Sequence, residues 1–520
     1  MLRLVPLSAL LTLGFATGTA LAEVKLPAVL SSHMVLQREK AVPIWGTAAP
    51  EEKVTVKFRD QEKTATAAQD GKWSVKLDAL KAGGPDKLTI SGTNTIVLDD
   101  VLVGEVWVGS GQSNIAGAVN GYAKGDPVLA KMQAAAPYAK IRLLKGNGKW
   151  TEATSTTVPG FSALLFAFGL RLQEALDVPV GLLVGAVGGT PSGYWLTEDM
   201  LKNDEPSQTM IASAAKTYNP EQAKKQYDIA LAKWEKDAEV AKKDNKPVPR
   251  KPSLPAAPGN SAGKIGNLYD AHILPMVPFG IRGVLWDQGE SGTAINGLDQ
   301  FTLMGGLIKG WRAAWGQDFP FLYVQKISGG GCAFDPKDPV TDQAEKFVQL
   351  PAAVPPTADG LYRELHIKIM KHPNTFMAIS TDLGPMTHPT NKSGYGTRSA
   401  RVALGAVYGQ KVEYYGPLYK DHKVDGNKVR VTFTHVGKGL TFQQGEKLQG
   451  FAVAGDDKVF HWAEATIDGD AVIASSEKVA NPVAVRYAFA SKHPWANLFN
   501  KDGLPAQAFR SDSWTVEKGK

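Results

Sequence analysis

The sequence predicts an α/β protein in which a domain with a mostly parallel β-sheet lies between two small β-sandwich domains. Between residues 101 and 410, near-continuous apolar segments alternate with helical segments, which is typical of buried parallel strands covered by helices. Short apolar segments separated by turn residues fill residues 23–100 and return from 411 to 520, which favours antiparallel sandwiches at both ends. A length of 520 residues is also too great for one core.

The first 22 residues are typical of a signal peptide. Arg3 supplies the positive charge, Leu4 to Phe15 form the apolar segment, and Ala20-Leu21-Ala22 is a small-x-small cleavage site. We therefore expect cleavage after Ala22 and an exported chain, periplasmic or extracellular. The apolar segment is short for a membrane span and no later segment is apolar enough, so no stable membrane anchor is expected.

The expected strands and helices follow from the order of these segments. In residues 23–100 the strand segments are MVLQ, AVPIWG, KVTVKF, GKWSVKL, KLTISG and NTIVLDDV. In residues 101–410 the strands are VLVGEVWVG, VPVGLLVGAVGG, IRGVLWDQG, FPFLYVQ and TFMAISTDLG, with helices at FSALLFAFGLRLQEAL and SARVALGAVYG. Residues 203–262 are a charged insertion, with an amphipathic helix indicated by Tyr227, Leu231, Trp234 and Ala238 and a Pro-rich connector after it.

Composition excludes several classes of protein. The chain is 43% hydrophobic and 21% charged, as in ordinary globular proteins. Its net charge of +7 is distributed among mixed Lys, Glu and Asp residues without a dense basic tract, so a nucleic-acid partner is not expected. The single cysteine, Cys332, excludes an intramolecular disulfide, and its Gly-rich surroundings offer no base to activate it as a nucleophile.

Chemically useful residues follow four of the predicted central strands. In open α/β sheets, ligands bind at the carboxyl ends of the strands, so these residues are expected to meet there. Taken singly, each group has an ordinary explanation as a turn or a helix cap, and only the combination indicates a site. The groups are Ser113, Gly188 with Gly189, Gln288 with Glu290, and Asp382 with His388.

This inventory suits nucleophilic catalysis by a serine. A histidine can take the proton of Ser113, a carboxylate can orient that histidine, and N–H groups can stabilise the oxyanion. His388 is the candidate base, Glu290 or Asp382 the candidate acid, and Ser113, Gly189 and the Gln288 amide the candidate donors. The histidines are scattered without metal-ligand spacing, so neither a metal nor another cofactor is expected.

Four sequence motifs are long enough to compare with those of known families: GSGQSNIAG, GGTPSGYW, NLYDAHILPMVPFGIRGVLWDQGES and TDLGPMTHPTNKSGYGTRSAR. Together they resemble the sialate O-acetylesterase family, a branch of the SGNH-type serine esterases related to acetylxylan esterases. Further similarity at VLSSHMVLQREKAVPIWGTA and ANLFNKDGLPAQAFRSDSW extends it over nearly the whole mature chain. The resemblance implies a flavodoxin-like three-layer esterase domain flanked by β domains, and metal-independent hydrolysis of acetyl esters on sugars.

Carried over position by position, the resemblance makes Ser113 of GQSN the nucleophile and His388 of HP the base. Gly189 of GGT and Gln288 of QGE correspond to oxyanion donors, and Asn114 is a further candidate for binding substrate. Either Glu290 of QGE or Asp382 of TDLG would orient His388. Glu290 is favoured because it leaves the end of a strand next to that of the nucleophile.

Three departures from the family pattern keep a non-catalytic carbohydrate-binding protein open as an alternative. Gly292 stands where Asn is usual, Asp287 adds a carboxylate that we expect at the rim of the site, and the segment before His388 is about two residues short. The short segment matters because it can displace the His388 imidazole, and a displacement of about 1 Å can lower the rate about 100-fold.

The expected partner is an acetylated sugar or glycan, and xylan or another polysaccharide is an alternative to sialic acid. Tyr194, Trp195 and Trp286 lie beside the motifs, where they either stack on a sugar ring or belong to the core. A glycosidase would use Glu290 and Asp382 as its carboxylate pair but would leave Ser113 and His388 without a role. The sequence predicts no oligomeric state.

Overall fold

The computed structural model describes residues 23–355, 359–385 and 387–516. The predicted signal peptide and its cleavage site lie outside the described residues. Within these ranges, none of the helices combines the length and the apolar composition that crossing a bilayer requires.

The described chain forms strands and helices in three consecutive regions. The first region contains β1 (Val35–Gln37), β2 (Val42–Thr47), β3 (Lys53–Phe58), β4 (Gln61–Thr66), β5 (Lys72–Leu77), β6 (Gly83–Ser91) and β7 (Thr95–Gly111). The central strands are β8 (Tyr138–Lys145), β9 (Thr151–Ala153), β10 (Val180–Ala186), β11 (Gly283–Asp287), β12 (Phe321–Val324) and β13 (Thr375–Ala378). The last region contains β14 (Leu418–Asp425), β15 (Lys428–Thr434), β16 (Leu440–Phe442), β17 (Phe451–Ala454), β18 (His461–Trp462), β19 (Glu464–Asp468), β20 (Ala471–Ser475), β21 (Ala484–Tyr487), β22 (Leu498–Asn500) and β23 (Phe509–Arg510).

Among the described residues, all the α-helices belong to the central region. They are α1 (Ser113–Ala116), α2 (Val119–Tyr122), α3 (Pro127–Ala134), α4 (Ala163–Leu176), α5 (Glu198–Lys202), α6 (Glu205–Thr217), α7 (Pro220–Lys243), α8 (Asn267–His272), α9 (Gln300–Trp315), α10 (Asp359–Ile369) and α11 (Lys392–Val402). A π-helical turn, Ala403–Val407, continues α11.

The central sheet has the strand order β13-β12-β11-β7-β10-β8-β9. All neighbouring strands in it are parallel except β8 and β9, which pair antiparallel. The expected mostly parallel sheet is therefore present, with β8 and β9 as an edge that the sequence analysis did not include.

Helices cover both faces of this sheet. Trp107 on β7 contacts Phe168 of α4, with ring centroids 5.0 Å apart. Trp286 on β11 contacts Trp311 of α9 at 5.9 Å. Because Trp286 pairs in register with Ser110, it shares the even-numbered face of β7, opposite to that of Trp107. The sheet is thus the middle of three layers, which explains why its strands are apolar on both sides.

The first region and the central sheet are joined through β7. The amino-terminal half of β7 pairs with β1 and β6, and its carboxyl-terminal half pairs with β10 and β11. The expected boundary at residues 100 and 101 thus lies inside one continuous strand. Buried residues from Val24 to Tyr415 also form a single hydrophobic core. The additional strand β4 was missed because its side chains are intermediate or exposed throughout.

The insertion contains the expected amphipathic helix. In α7, Tyr227, Leu231 and Trp234 are half-buried and Ala238 is buried, while most of the residues between them are exposed. The indole of Trp234 donates a hydrogen bond to the Pro249 carbonyl at 2.7 Å, so the Pro-rich connector packs back along the helix.

The last region is entirely β-structure within the described residues. One sheet has the order β14-β15-β20-β19 and another has the order β18-β17-β21-β23, with β16 and β22 forming a short pair. These strands enclose a second hydrophobic core, separate from the first, that includes Val431, Phe451 and Tyr487.

Candidate active site

The end of β7 breaks sharply because Gly111 has no side chain. In register, Gly111 lies between Ala186 of β10 and Asp287 of β11. Its φ is +125°, and a Cβ atom there would lie 2.2 Å from the carbonyl oxygen of Asp287. The next amide, that of Gln112, donates to the same carbonyl at 2.8 Å. The chain therefore leaves the sheet at a fixed point, and Ser113 begins α1 there.

Ser113 and His388 lie within hydrogen-bonding distance. Ser113 Oγ is 2.7 Å from His388 Nε2, although the two residues are 275 positions apart in the chain. His388 is exposed and lies in the loop between β13 and α11. Asn391 caps the start of α11, because its side chain accepts from the amide of Gly394 at 2.8 Å.

The GGT motif lies directly beside Ser113. A Cβ atom at Gly188 would lie 3.6 Å from Ser113 Cβ, so the backbone of this loop packs against the serine. Gly189 has a φ of +72°, and the space around its Cα is open. Among the residues that the structure describes, the backbone N–H groups of Ser113 and Gly189 donate to no other group. Both are therefore free to meet an oxyanion.

The Gln288 side chain is differently placed from the expected oxyanion donor. It is buried, and its amide nitrogen donates to the carbonyls of Thr190 at 3.4 Å and Gly292 at 3.1 Å. Its oxygen accepts from Gln300 at 3.1 Å. In this arrangement the Gln288 side chain joins the GGT loop to the segment after β11, and both of its amide hydrogens have carbonyl acceptors. The sequence could not show this, because the motif does not reveal which carbonyls face the amide.

The two candidate acids are both paired with cations. Asp382 is buried and forms two hydrogen bonds with Arg398 of α11, at 3.0 and 2.8 Å. Glu290 lies 2.7 Å from Lys326 Nζ. Within the described ranges neither carboxylate hydrogen-bonds His388, so the geometry does not assign the third member of a triad.

Asp287 does not lie at the rim where it was expected. Its side chain is fully buried and lies 2.8 Å from the Nζ atom of Lys326, which is equally buried. Burial raises the pKa of Asp287, while the Lys326 cation opposes this shift. For Lys326, burial lowers the pKa, but the Asp287 and Glu290 carboxylates outweigh it and the net shift is upward. The extra carboxylate is thus part of a buried ion-pair cluster behind the site.

Comparison with known proteins adds to this geometry. No family model matches the chain. Human sialate O-acetylesterase is 26% identical over 538 residues, covering 92% of this chain and 91% of its own length. The sialate O-acetylesterase of Rattus norvegicus is 27% identical over 441 residues, covering 75% of each chain. The crystal structure of a carbohydrate acetylesterase from Xanthomonas citri matches with a TM-score of 0.72 and 30% identity, covering 94% of this chain and 100% of the other.

The chain belongs to the sialate O-acetylesterase family. It is thereby a carboxylic ester hydrolase. The predicted family is confirmed, and the similarity to whole proteins includes both β regions as well as the central sheet.

In this member of the sialate O-acetylesterase family, the side chain of Asn114 is hydrogen-bonded to three neighbouring protein groups. Its side chain is completely buried. The amide nitrogen donates to the Thr387 carbonyl at 3.0 Å and to Glu290 at 3.3 Å, and the amide oxygen accepts from Lys392 Nζ at 2.7 Å. The amide is thus engaged by protein groups at both its nitrogen and its oxygen, and the expected substrate contact stays a prediction.

Lys392 is a buried residue beside Ser113 and His388 that the sequence did not indicate. It is the first residue of α11 and its side chain is buried. Burial lowers the pKa of Lys392 to about 7, although nearby carboxylates, Asp287 first among them, act in the opposite direction. In the sequence, Lys392 is recognisable only by its position four residues after His388. An exposed lysine at a helix end would have the same spacing.

Two of the three aromatic residues beside the motifs belong to the core. Trp195 is 0% exposed and Trp286 is 1% exposed, and their rings pack against each other with centroids 6.0 Å apart. Neither can stack on a sugar, so the core interpretation is the correct one for both. Tyr194 remains half-buried at the surface.

Proposed function

We propose that this chain removes O-acetyl groups from sugars by serine acyl transfer. The observation that carries the proposal is the 2.7 Å distance between Ser113 Oγ and His388 Nε2. The unengaged N–H groups of Ser113 and Gly189 support it, because they can stabilise an oxyanion formed beside the serine. The names of the human and Xanthomonas citri relatives support an acetylated sugar as substrate.

The proposed reaction has two steps. His388 Nε2 takes the proton of Ser113 Oγ as this oxygen attacks the acetyl carbonyl carbon, and the resulting oxyanion faces the N–H groups of Ser113 and Gly189. The bond to the sugar oxygen breaks, the proton on His388 passes to that oxygen, and the acetyl group stays on Ser113. Water, deprotonated by His388, then attacks the acetyl-serine ester and releases acetate.

We assign the central domain to the SGNH type with a flavodoxin-like sheet. Numbered in chain order, β7, β10, β11, β12 and β13 are arranged as 2-1-3-4-5, which is the flavodoxin-like order, with β8 added at one edge. Ser113 and His388 lie at the carboxyl ends of β7 and β13, where such sheets bind ligands. The flanking domains are small β-sandwiches in this proposal, and the signal peptide directs the chain to the periplasm or the medium.

The two buried lysines near the site do not provide a partner for the carboxylate of a free sialic acid. Lys326 and Lys392 are buried and already paired, so neither offers its charge to a sialate carboxylate. His388 is exposed, which leaves the dyad accessible to a bulky glycan. Deacetylation of xylan or another polysaccharide is therefore the second candidate.

Hydrolysis of a chromogenic acetate ester tests the reaction. Ser113→Ala should lower the turnover rate by about 10⁴-fold or more, because the nucleophile is lost. Ser110→Ala is a matched control, since Ser110 is a fully buried serine on β7 whose hydroxyl has no hydrogen-bond partner among the described residues. The control variant should retain the wild-type rate. Acetate release from acetylated sialic acids, xylo-oligosaccharides and simple sugar acetates then ranks the substrates.

The same experiment distinguishes an esterase from a non-catalytic carbohydrate-binding protein. Turnover by wild type no faster than by Ser113→Ala would overturn the esterase proposal. Binding of the same sugars without Ser113-dependent turnover would favour a non-catalytic protein.

A further inference from the structure

The backbone around His388 is held by two buried side chains from outside its loop. The carbonyl of Thr387, the residue before the histidine, accepts from Asn114 Nδ2 at 3.0 Å. The carbonyl of Pro389, the residue after it, accepts from Lys392 Nζ at 2.6 Å. Thr387 has a φ of +76°, a conformation that a β-branched residue adopts only when its surroundings impose it.

These two side chains are also bonded to each other. Lys392 Nζ donates to Asn114 Oδ1 at 2.7 Å, and the ammonium group lies 4.4 Å from the ring centroid of Tyr122. The bond to Lys392 fixes the orientation of the Asn114 amide, so that its nitrogen faces the Thr387 carbonyl. A hydrogen bond inside a protein is stronger than the same bond in water, which suits this orienting role.

The connections form a closed ring of interactions. Asn114 follows Ser113 in the chain, and its amide holds Thr387, which precedes His388. His388 in turn contacts Ser113. The hydroxyl and the imidazole are therefore linked through Asn114, whose amide nitrogen also donates to Glu290 at 3.3 Å.

We propose that Lys392, acting directly on Pro389 and through Asn114 on Thr387, is a positioning residue that holds His388 against Ser113. It thereby supplies part of the orientation that a carboxylate gives in a serine triad. The inference rests on the proposed function and adds a role for a residue that touches neither Ser113 nor His388. Disturbing it should affect the rate of acyl transfer more than substrate binding, because it displaces only the base.

Steady-state kinetics of two variants, measured beside one control variant, tests this role. Lys392→Met keeps the length of the side chain but removes its donors. Asn114→Asp keeps the acceptor for Lys392 but removes the donor to Thr387. Each should lower kcat by about 10- to 100-fold and leave KM within about twofold, since small displacements of a catalytic group have effects of this size.

Ser393→Ala is the matched control on the same helix. Ser393 is buried next to Lys392 and its hydroxyl donates to Asp126 at 2.7 Å, away from the His388 loop. Its loss should lower the melting temperature without changing kcat. A purely structural role for Lys392 predicts the same pattern for Lys392→Met, and a kcat within twofold of wild type in that folded variant would overturn the proposal. Should Lys392→Met not fold, Asn114→Asp decides by the same criterion.

The rate at which a fluorophosphonate probe labels Ser113 separates failure of this inference from failure of the proposed function. Labelling requires the activated serine but not an acetyl-sugar substrate. If wild type is labelled at Ser113 but does not hydrolyse acetate esters, the proposed function falls, and slower labelling of Lys392→Met than of Ser393→Ala still supports the positioning role. If wild type is not labelled, both proposals fall.

Discussion

Asp382 and Arg398 form a bidentate ion pair in the interior of the protein, with N–O distances of 3.0 and 2.8 Å. The acid that is nearer to His388 in sequence thus joins the end of β13 to α11, the helix that follows the His388 loop. A bidentate pair of this kind has a defined geometry, so it fixes how the helix is placed against the sheet. Its role in the structure is to hold two elements together.

Asp382→Asn is therefore expected to affect stability first. Removing one partner leaves a buried guanidinium without its counter-charge, which costs about 3 kcal/mol or more in the free energy of unfolding. Thermal melting should show this loss, and the double variant Asp382→Asn/Arg398→Met should recover part of it. A single variant that melts like wild type would contradict the interpretation.

Glu290→Gln is expected to lower kcat by about tenfold, with a smaller change in melting temperature than Asp382→Asn. The amide no longer attracts Lys326, and it weakens the polar contact with Asn114, whose other bond holds the Thr387 carbonyl. Measuring kcat and melting temperature for both variants distinguishes the two acids. A larger fall in kcat for folded Asp382→Asn than for Glu290→Gln would contradict this expectation.

Gly189→Ala tests the oxyanion donor. The position has room for a methyl group, but its φ of +72° is unfavourable for alanine by about 1 kcal/mol. Relief of that strain turns the peptide and moves the N–H group, so kcat for acetate ester hydrolysis should fall by about 10- to 100-fold.

Gly316→Ala provides the matched control for this change. Gly316 follows α9 with a φ of +62°, and it too has open space around its Cα. The two variants should lose similar stability, whereas only Gly189→Ala should lose activity. Equal kcat values would show that the Gly189 N–H does not contribute.

Sequence patterns predicted the elements that bury apolar residues and the strand ends that carry chemistry. Parallel strands covered on both faces are apolar throughout, and this made β7, β10, β11, β12 and β13 recognisable. Their carboxyl ends lie along one edge, which is why Ser113 and His388 could be predicted to meet. Strand β4 was not predicted because neither of its faces is buried, so its sequence shows no alternation of apolar and polar residues.

Hydrogen-bond partners inside the site could not be predicted in the same way. The presence of a glutamine, an asparagine or a lysine near a motif does not reveal whether its side chain faces the substrate or a buried carbonyl. Gln288 and Asn114 were expected in the site, and both are engaged by backbone carbonyls of neighbouring loops. Lys392 was not expected at all, because burying a lysine depends on acceptors from distant segments.

Glu105 should make the stability of the protein depend on acidic pH. Its side chain is 0% exposed and lies 2.5 Å from Arg38 Nε and 2.7 Å from Arg282 Nε. Burial raises the pKa of Glu105, but the hydrogen bonds and charges of these arginines outweigh it, and the net shift is downward. A carboxyl group with a lowered pKa in the folded state adds stability above its pKa in the unfolded chain, about 4.3. That stability is lost as the pH falls below about 4 and through the lowered pKa of the folded state.

Between pH 7 and pH 3 the melting temperature of wild type should therefore fall more steeply than that of Glu105→Gln. The variant should already be less stable at pH 7, by about 2–4 kcal/mol, because two arginines lose their shared counter-charge. Parallel melting curves for the two proteins over this range would show that Glu105 does not hold β7 to its neighbours in the charged form.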